Sequence, residues 1–504
     1  MTSHLVSIAP ALRAALQRNQ FDTDTLLAAL GPQVHAALGR NEPVPVRLAA
    51  QTLGELGVLI QLFLLADEVP RDAAAQALAP LTIDDAVAAG LLETGFGTET
   101  GYGPEAGGST TVRAALDLRP VDLGFGTRWV FADLDGALRP QTATKDHVLG
   151  VGHASLSLLR ATPTTPTTSL LDLGTGSGIQ ALHATDYAQT VTGTDLNERA
   201  IDLAHATAAI NEVEIELLTG SWFDPVAGRT FERVVANPPF VVGDPRVRHI
   251  YRDSGLDLDG ASELVVRSAI DHLAPGGTAV MLAAWVHIAD EDWRARIASW
   301  LPEHGVDAWV VQRDVADPEL YVGTWMRDGG QDPRDPQAAQ RATEWLTHLR
   351  ESDVDGIGFG FVYLRRTNTP TDLLVEDLTH GFDDPLGDEA LAYFDRLAWL
   401  RDNDVLTARL RLDPHTALER VFLPGEEGWA QEVVRVHRGG GPRWQHEVDD
   451  LVAALLAGMT TGSLALEELI ELLAFAHGED VTTLTEAAVP LVHSLVRHGI
   501  VLPA

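Results

Sequence analysis

Strand-like and helix-like segments alternate from Ser169 to Leu364, a glycine-rich turn joins the first strand to the first helix, and an acid ends the second strand. These three observations predict an α/β fold: a Rossmann-like, doubly wound sheet of seven strands, flanked by N- and C-terminal mainly helical domains. The strands are expected at residues 170–173, 190–194, 215–218, 233–236, 278–283, 308–312 and 358–364. Helices are expected from Gly178, from Glu198 and over residues 262–273. Such alternation implies right-handed crossovers.

A chain of 504 residues is too long for one core and predicts two to four domains. Residues 1–110 carry apolar positions at helical spacing and read as mainly helical, with a turn or loop at the Gly-rich stretch 95–108. Residues 111–168 read as a hairpin and linker, with strand-like runs at 111–118 and 128–131. Helices followed by a hairpin suggest a winged-helix-like module. The run Pro-Thr-Thr-Pro-Thr-Thr at 163–168 blocks helix continuation before the sheet domain at 169–366. Residues 367–504 read as an α+β domain: helices at 388–400 and 447–456, strands at 405–412 and 432–436, then helix, turn and helix over 466–475 and 484–501. The ending His498-Gly499-Ile500-Val501 echoes Ala89-Gly90-Leu91-Leu92, which suggests a winged-helix-like module at each end.

No apolar run approaches the ~20 residues that cross a bilayer, and no basic stretch precedes an apolar segment at the N-terminus. A cytoplasmic protein is expected. The chain has no cysteine, which excludes disulfides, thiolate catalysis and cysteine-ligated metals. No His pair at helical spacing stands beside a carboxylate, so no metal site is read. The net charge of −36 argues against a general nucleic-acid coat while leaving room for a local basic patch. Lys145 is the sole lysine, so the cations are arginines.

Three motifs carry chemistry. The first is Asp172-Leu173-Gly174-Thr175-Gly176-Ser177-Gly178, where glycines let a ligand approach the backbone and a helix N-terminus offers unpaired amides. Dinucleotide enzymes place a third Gly or Ala where this chain has Ile179. The compressed spacing behind Asp172 therefore favours an S-adenosyl-L-methionine pocket over a pyrophosphate cradle. The second motif is Asp195-Leu196-Asn197 after the next strand. A carboxylate there accepts both hydroxyls of an adenosine ribose, or else caps the following helix. Both roles fit if Asp195 takes the ribose and Asn197 the cap.

The third motif, Asn237-Pro238-Pro239-Phe240, ends the fourth strand. Its prolines cannot continue a strand and stiffen the chain into a ledge. The Asn237 side-chain oxygen and the Pro238 carbonyl can each accept one hydrogen of a planar NH2, turning the nitrogen lone pair toward a methyl donor. Phe240 offers a face for stacking.

These residues resemble class I S-adenosylmethionine-dependent methyltransferases of the rRNA guanine-N2, N6-adenine and protein-glutamine type, over roughly residues 145–366. The resemblance implies that Gly174 to Gly178 border the methionine moiety, that Asp195 and Leu196 hold the nucleoside and that Trp222, after Ser221, lies against the adenine. Many relatives carry an acid where Ser221 stands. The turn Leu273-Ala274-Pro275-Gly276-Gly277 fits the pattern, and residues 146–152 sit where relatives cover the cofactor. Phe rather than Tyr at 240 leans toward the rRNA guanine-N2 enzymes. That implies an exocyclic nucleobase amine in ribosomal RNA as acceptor, with a glutamine amide of a translation protein as the alternative. Arg246, Arg248, His249 and Arg252 could hold phosphates or pair with neighbouring acids. Arg435, His437, Arg438, Arg443 and Trp444 have the mixture of a single-strand binder.

Overall fold

A computed structural model describes residues 2–40, 42–94, 110–136, 139, 144–243, 253–329, 331–332, 334–378, 380–381, 386–426 and 428–504. The chain divides into two compact units, one of residues 1–159 with 166–377 and one of 160–165 with 378–504.

The first unit begins with helices α1 (Thr2–Arg18), α2 (Thr23–Gly39), α3 (Pro43–Ala50) and α4 (Gly54–Leu59), the last running on as a buried π-helical turn, Ile60–Leu64. Strand β1 (Val69–Pro70), helices α5 (Arg71–Leu78) and α6 (Ile83–Ala88) and strands β2 (Leu92–Thr94) and β3 (Thr111–Ala114) follow. The small antiparallel sheet runs β1-β3-β2, the strand arrangement of a winged helix. The Gly-rich stretch 95–108 lies outside the described residues.

The strand expected over 111–118 is two strands. Ala115 leaves the first sheet by donating to the Leu91 carbonyl (2.9 Å), and β4 (Asp117–Asp122) then pairs with β5 (Thr127–Ala132) in a separate hairpin. That hairpin's outer edge is closed by a helix of the main domain. The Asn211 side chain exchanges hydrogen bonds with the Trp129 backbone (3.0 and 2.7 Å), and the Phe131 amide donates to Thr207 Oγ1 (3.2 Å). Closing an edge in this way removes a template for unwanted pairing. One apolar cluster runs from Leu5 and Phe21 through Phe131 to Leu203 and Ile210, so the N-terminal helices and the main domain share a core.

After α7 (His153–Ala161) come β6 (Thr167–Leu173), α8 (Ile179–Ala184), β7 (Ala188–Asp195), α9 (Glu198–Asn211), β8 (Glu216–Thr219), β9 (Phe231–Ala236), α10 (Gly260–Asp271) and β10 (Leu273–Ile288). Then follow α11 (Trp293–Ala298), β11 (His304–Ala316), α12 (Pro318–Asp328), α13 (Pro336–Glu351), β12 (Val354–Pro370) and β13 (Asp372–Asp377). All seven expected strands are present, in the order β11-β12-β10-β9-β6-β7-β8, and β13 adds an eighth at the β11 edge. Strands β6 to β10 run parallel, while β12 is antiparallel to both neighbours.

Strands β10 to β12 extend well beyond the expected runs. Gly356, Gly358 and Gly360 alternate along β12, so all three fall on one face. Trp285 and Gln312 occupy the space left bare at Gly358, with Trp285 Nε1 donating to Gln312 Oε1 (2.9 Å).

The second unit holds α14 (Gly387–Asp402), β14 (Leu410–Leu412), the antiparallel β15 (Thr416–Gly425), β16 (Gly428–Arg438) and β17 (Gln445–Glu447), helices α15 (Asp450–Gly458), α16 (Leu466–His477) and α17 (Val481–Arg497), and β18 (Val501–Pro503). The expected strand at 405–412 is thus confined to β14, and the helix expected from 447 begins at Asp450, where Asp449 caps it.

At Gly360 a Cβ would lie 1.8 Å from the Val311 carbonyl oxygen, which is backbone of the neighbouring strand and cannot swing aside. Gly360→Ala is expected to cost about 1–3 kcal/mol, read as a lower urea midpoint of the first unit.

Candidate functional site

Register places the three motifs together. Leu173 at the end of β6 pairs with Thr194 of β7 on one side and Ala236 of β9 on the other. The glycine turn, Asp195 and the proline ledge therefore leave three adjacent parallel strands at the same carboxyl end, where doubly wound sheets bind ligands.

Gly174, Gly176 and Gly178 adopt φ of 72°, 55° and 88°, a region that L side chains enter only with strain. The amides of Gly174 and Thr175 both donate to the Thr194 carbonyl at 2.9 Å, and the Gly176 amide donates to Asp195 Oδ2 at 2.9 Å. Asp195 Oδ1 accepts from the Asn197 amide (2.8 Å), while the Asn197 side chain caps α9 through the Arg199 amide (3.0 Å). Burial raises the Asp195 pKa, against the pull of these amides.

Asp172 has no exposure, and its Oδ2 accepts from Thr175 Oγ1 (2.6 Å) and the Ala181 amide (3.0 Å). It ties both ends of the turn to β6. Burial outweighs these bonds and pushes its pKa from 3.8 to about 7, helped by the nearby Asp195.

In the ledge Pro238 is buried, and Asn237, Pro239 and Phe240 are half-buried. A Cβ on Gly174 would stand 3.6 Å from the Asn237 carbonyl oxygen and 3.8 Å from Pro238 Cα, so the turn and the ledge lie against each other. The chain beyond the ledge is clamped by two helices that sequence reasoning missed. The Val242 amide donates to the Tyr321 hydroxyl of α12 (2.6 Å), and Trp345 Nε1 of α13 donates to the Val242 carbonyl (3.0 Å). Phe240 packs on this same cluster, which leaves only part of its ring exposed.

An open cavity of about 790 Å³, solvent at its mouth included, is lined by Gly174, Asp195, Leu196, Ser221, Trp222 and Asn237 to Pro239. Leu173, Thr194, Gly220, Asp253 and Ser254 also line it and were not anticipated. Asp172, Thr175, Gly176, Gly178 and Phe240 are not among the residues that line it. Trp222 holds a φ of 45°, a strained value for an aromatic residue. Residues 146–152 approach through the Asp146 carbonyl, which accepts from Asn197 Nδ2 (2.8 Å), and through Val148, whose amide donates to Asp133 (2.9 Å).

Arg246, Arg248, His249 and Arg252 lie outside the described residues. The C-terminal cluster does not form a stacking surface. Trp444 is 3% exposed and stacked on His498, Arg438 pairs with the buried Glu389 (2.8 Å), and Arg435 meets Glu447 (3.3 Å) and Glu419 (3.6 Å). Trp444 and Arg438 are spent inside the unit, Arg435 pairs at its surface, and Arg443 is exposed.

Residues 149–285, which hold all three motifs, match the family described as "Methyltransferase small domain". Residues 18–100 and 391–503 match two domains of unknown function. The chain is 28% identical to the release factor glutamine methyltransferase of Aliivibrio fischeri, over 32% of this chain and 59% of that protein. It is 31% identical to the ribosomal RNA small subunit methyltransferase C of Erwinia tasmaniensis, over 21% of this chain and 29% of the relative. It therefore spans less than two thirds of either. Among solved structures, a T. thermophilus 16S rRNA N2 methyltransferase with AdoMet and guanosine is similar at a TM-score of 0.28 and 16% identity, covering 46% of this chain and 58% of that one.

Ionising the buried Asp172 costs the folded state, so between its ordinary pKa of 3.8 and about 7 the unfolded chain holds fewer protons than the folded one. Stability from this group is present at low pH and falls as pH rises through that window. Asp172→Asn is expected to remove this fall, so the gap between variant and wild-type melting temperatures should move in the variant's favour from pH 4 to pH 7. A gap that is constant with pH would contradict it.

Proposed function

We propose that this chain methylates the exocyclic amine of a nucleobase in ribosomal RNA, with S-adenosyl-L-methionine as methyl donor. The observation that carries this reading is the contact between the glycine turn and the ledge: the Asn237 carbonyl oxygen and Pro238 Cα border the space at Gly174, within one cavity that Asp195 and Trp222 also line.

The residues fit the cofactor. Asp195 is held by two backbone amides with its carboxylate at the cavity wall, ready to accept ribose hydroxyls. Leu196, 59% exposed, and Trp222 provide apolar surface for an adenine. The bound cofactor supplies an electrophilic methyl on a sulfonium, a good leaving group. Asn237 Oδ1 and the Pro238 carbonyl accept the two amine hydrogens and aim the nitrogen lone pair. The rigid prolines meet the cost of ordering these acceptors before the substrate arrives. No strong general base is required, because the amine proton becomes acidic once the nitrogen carries the methyl, and it passes to water.

A second reading keeps the chemistry and places the nitrogen on a glutamine amide of a translation protein. The net charge of −36 and Asp253 at the cavity favour it, since a protein acceptor needs no phosphate attraction. Among the described residues no helix is long and apolar enough to cross a membrane. Either acceptor places the protein's work in the cytoplasm.

Asn237→Ala is expected to lower kcat by roughly 10²–10³ while S-adenosylmethionine binding, followed by calorimetry, stays within a few-fold of wild type. The acceptor is identified by tritiated-methyl labelling of ribosomal RNA and total protein from cells lacking the gene. Label in RNA, with a rate that drops steeply as salt rises, is the expected result. Label confined to protein, with a shallow salt dependence, would replace it by the glutamine reading.

A further inference from the structure

The N-terminal small sheet and the end of the chain share one hydrogen-bond plan. In the first, β1 meets β3 with Pro70 opposite Thr111, and the Arg71 amide, opening α5, donates to the Thr110 carbonyl (2.9 Å). In the second, Ala465 forms an antiparallel bridge with Arg409, and the Leu466 amide, opening α16, donates to the Ala408 carbonyl (3.1 Å). Helix α6 closes on Gly90 (φ 76°), and the Leu91 carbonyl accepts from Ala115 (2.9 Å). Helix α17 closes on Gly499 (φ 65°), and the Ile500 carbonyl accepts from Asp413 (2.9 Å). Leu92 pairs with Ala114 as Val501 pairs with Leu412. The C-terminal module is thus the same helix-helix-sheet arrangement, with the strand that comes last in the first copy moved ahead of its helices.

A winged helix that reads nucleic acid presents cations on its second helix and neighbouring loops. Here residues 445–496 contain nine carboxylates and neither lysine nor arginine. Thr482, Thr483 and Glu486 are the exposed polar residues in the first turns of α17, and none is a cation. The same corner exposes large apolar side chains. Leu472 and Phe475 stand three residues apart on α16, 57% and 91% exposed, and Val481 opening α17 is 42% exposed. Leu469, Ile470 and Ala474 form the buried stripe of α16, so Leu472 and Phe475 make a second apolar stripe facing outward. Glu467, Glu471 and Glu479 are exposed along it.

We propose that the α16–α17 corner is a docking surface for a basic polypeptide segment that seats an apolar side chain against Phe475 and Leu472, and that this module binds protein rather than nucleic acid. The apolar pair supplies the anchor and the acids set the partner's sign.

The test uses the full chain and a fluorescein-labelled amphipathic helix of leucine and lysine, followed by anisotropy. Saturable binding is expected, and Leu472→Ser with Phe475→Ser should weaken it at least about tenfold, the loss of one interface anchor. The melting temperature should not change, because both side chains point to solvent. Glu471→Lys with Glu479→Lys should weaken binding and flatten its salt dependence. Trp429→Ser, which alters the exposed tip of the β15–β16 hairpin instead, should bind as wild type does. The proposal is overturned if wild type shows no saturable binding, if the double serine variant binds as tightly, if a glutamate-for-lysine peptide binds equally well, or if labelled duplex RNA, titrated without peptide, binds wild type and loses that binding in the double serine variant.

Discussion

Asp172 sits at the end of β6 without solvent contact, and one of its oxygens accepts from both Thr175 and Ala181. Those two bonds fold the chain back on itself directly after the strand, so that Gly174 arrives against the ledge and the Gly176 amide arrives at Asp195. Every other part of the cavity is measured from this turn. A carboxylate is a costly choice at a buried position, as its elevated pKa records. No apolar residue could accept two hydrogen bonds there, so the site's geometry is set at the expense of charge burial.

The ledge is held from its other side by different means. Beyond Phe240 the backbone enters an apolar cluster in which Tyr321 and Trp345 bond both polar groups of Val242. Gly243 packs so closely on Trp345 that a Cβ there would come within 2.9 Å of its indole nitrogen. The tetrapeptide is therefore pinned at β9 by sheet register and at Val242 by two helices. Rigidity at both ends is what the proposed orientation of an amine by position alone requires.

The parts of this site that were legible in the sequence are those whose chemistry demands particular residues side by side. The glycine turn, Asp195 and Asn237 to Phe240 are contiguous and follow strands, so their meeting could be inferred from topology. Leu173, Thr194 and Gly220 were given no role because they are ordinary residues that line the cavity only by adjacency to the motif residues. Asp253 and Ser254 return to it after a long connection, and no spacing rule encodes that return. The helices α12 and α13 were missed although each begins with an Asp cap followed by Pro at the first position, Asp317-Pro318 and Asp335-Pro336, a start signal that went unread. The basic and aromatic residues near Trp444 misled for the opposite reason: composition suggested a stacking surface, but Trp444 is buried on His498 and Arg438 on Glu389, while Arg435 pairs at the surface with Glu419 and Glu447.

The register shared by the two terminal modules shows that the arrangement depends on strand pairing and on a glycine at the helix exit, since it survives a change in the order in which the chain supplies its strands. What the register does not dictate is the outward face of the helices, which is free to vary. In the C-terminal copy that face carries no lysine or arginine between Gln445 and Val496 and holds Phe475 in open solvent. A soluble surface that tolerates an aromatic side chain at 91% exposure gives up apolar burial, and an acidic rim around it repels phosphate. Both features weaken contact with RNA and strengthen contact with a cationic protein.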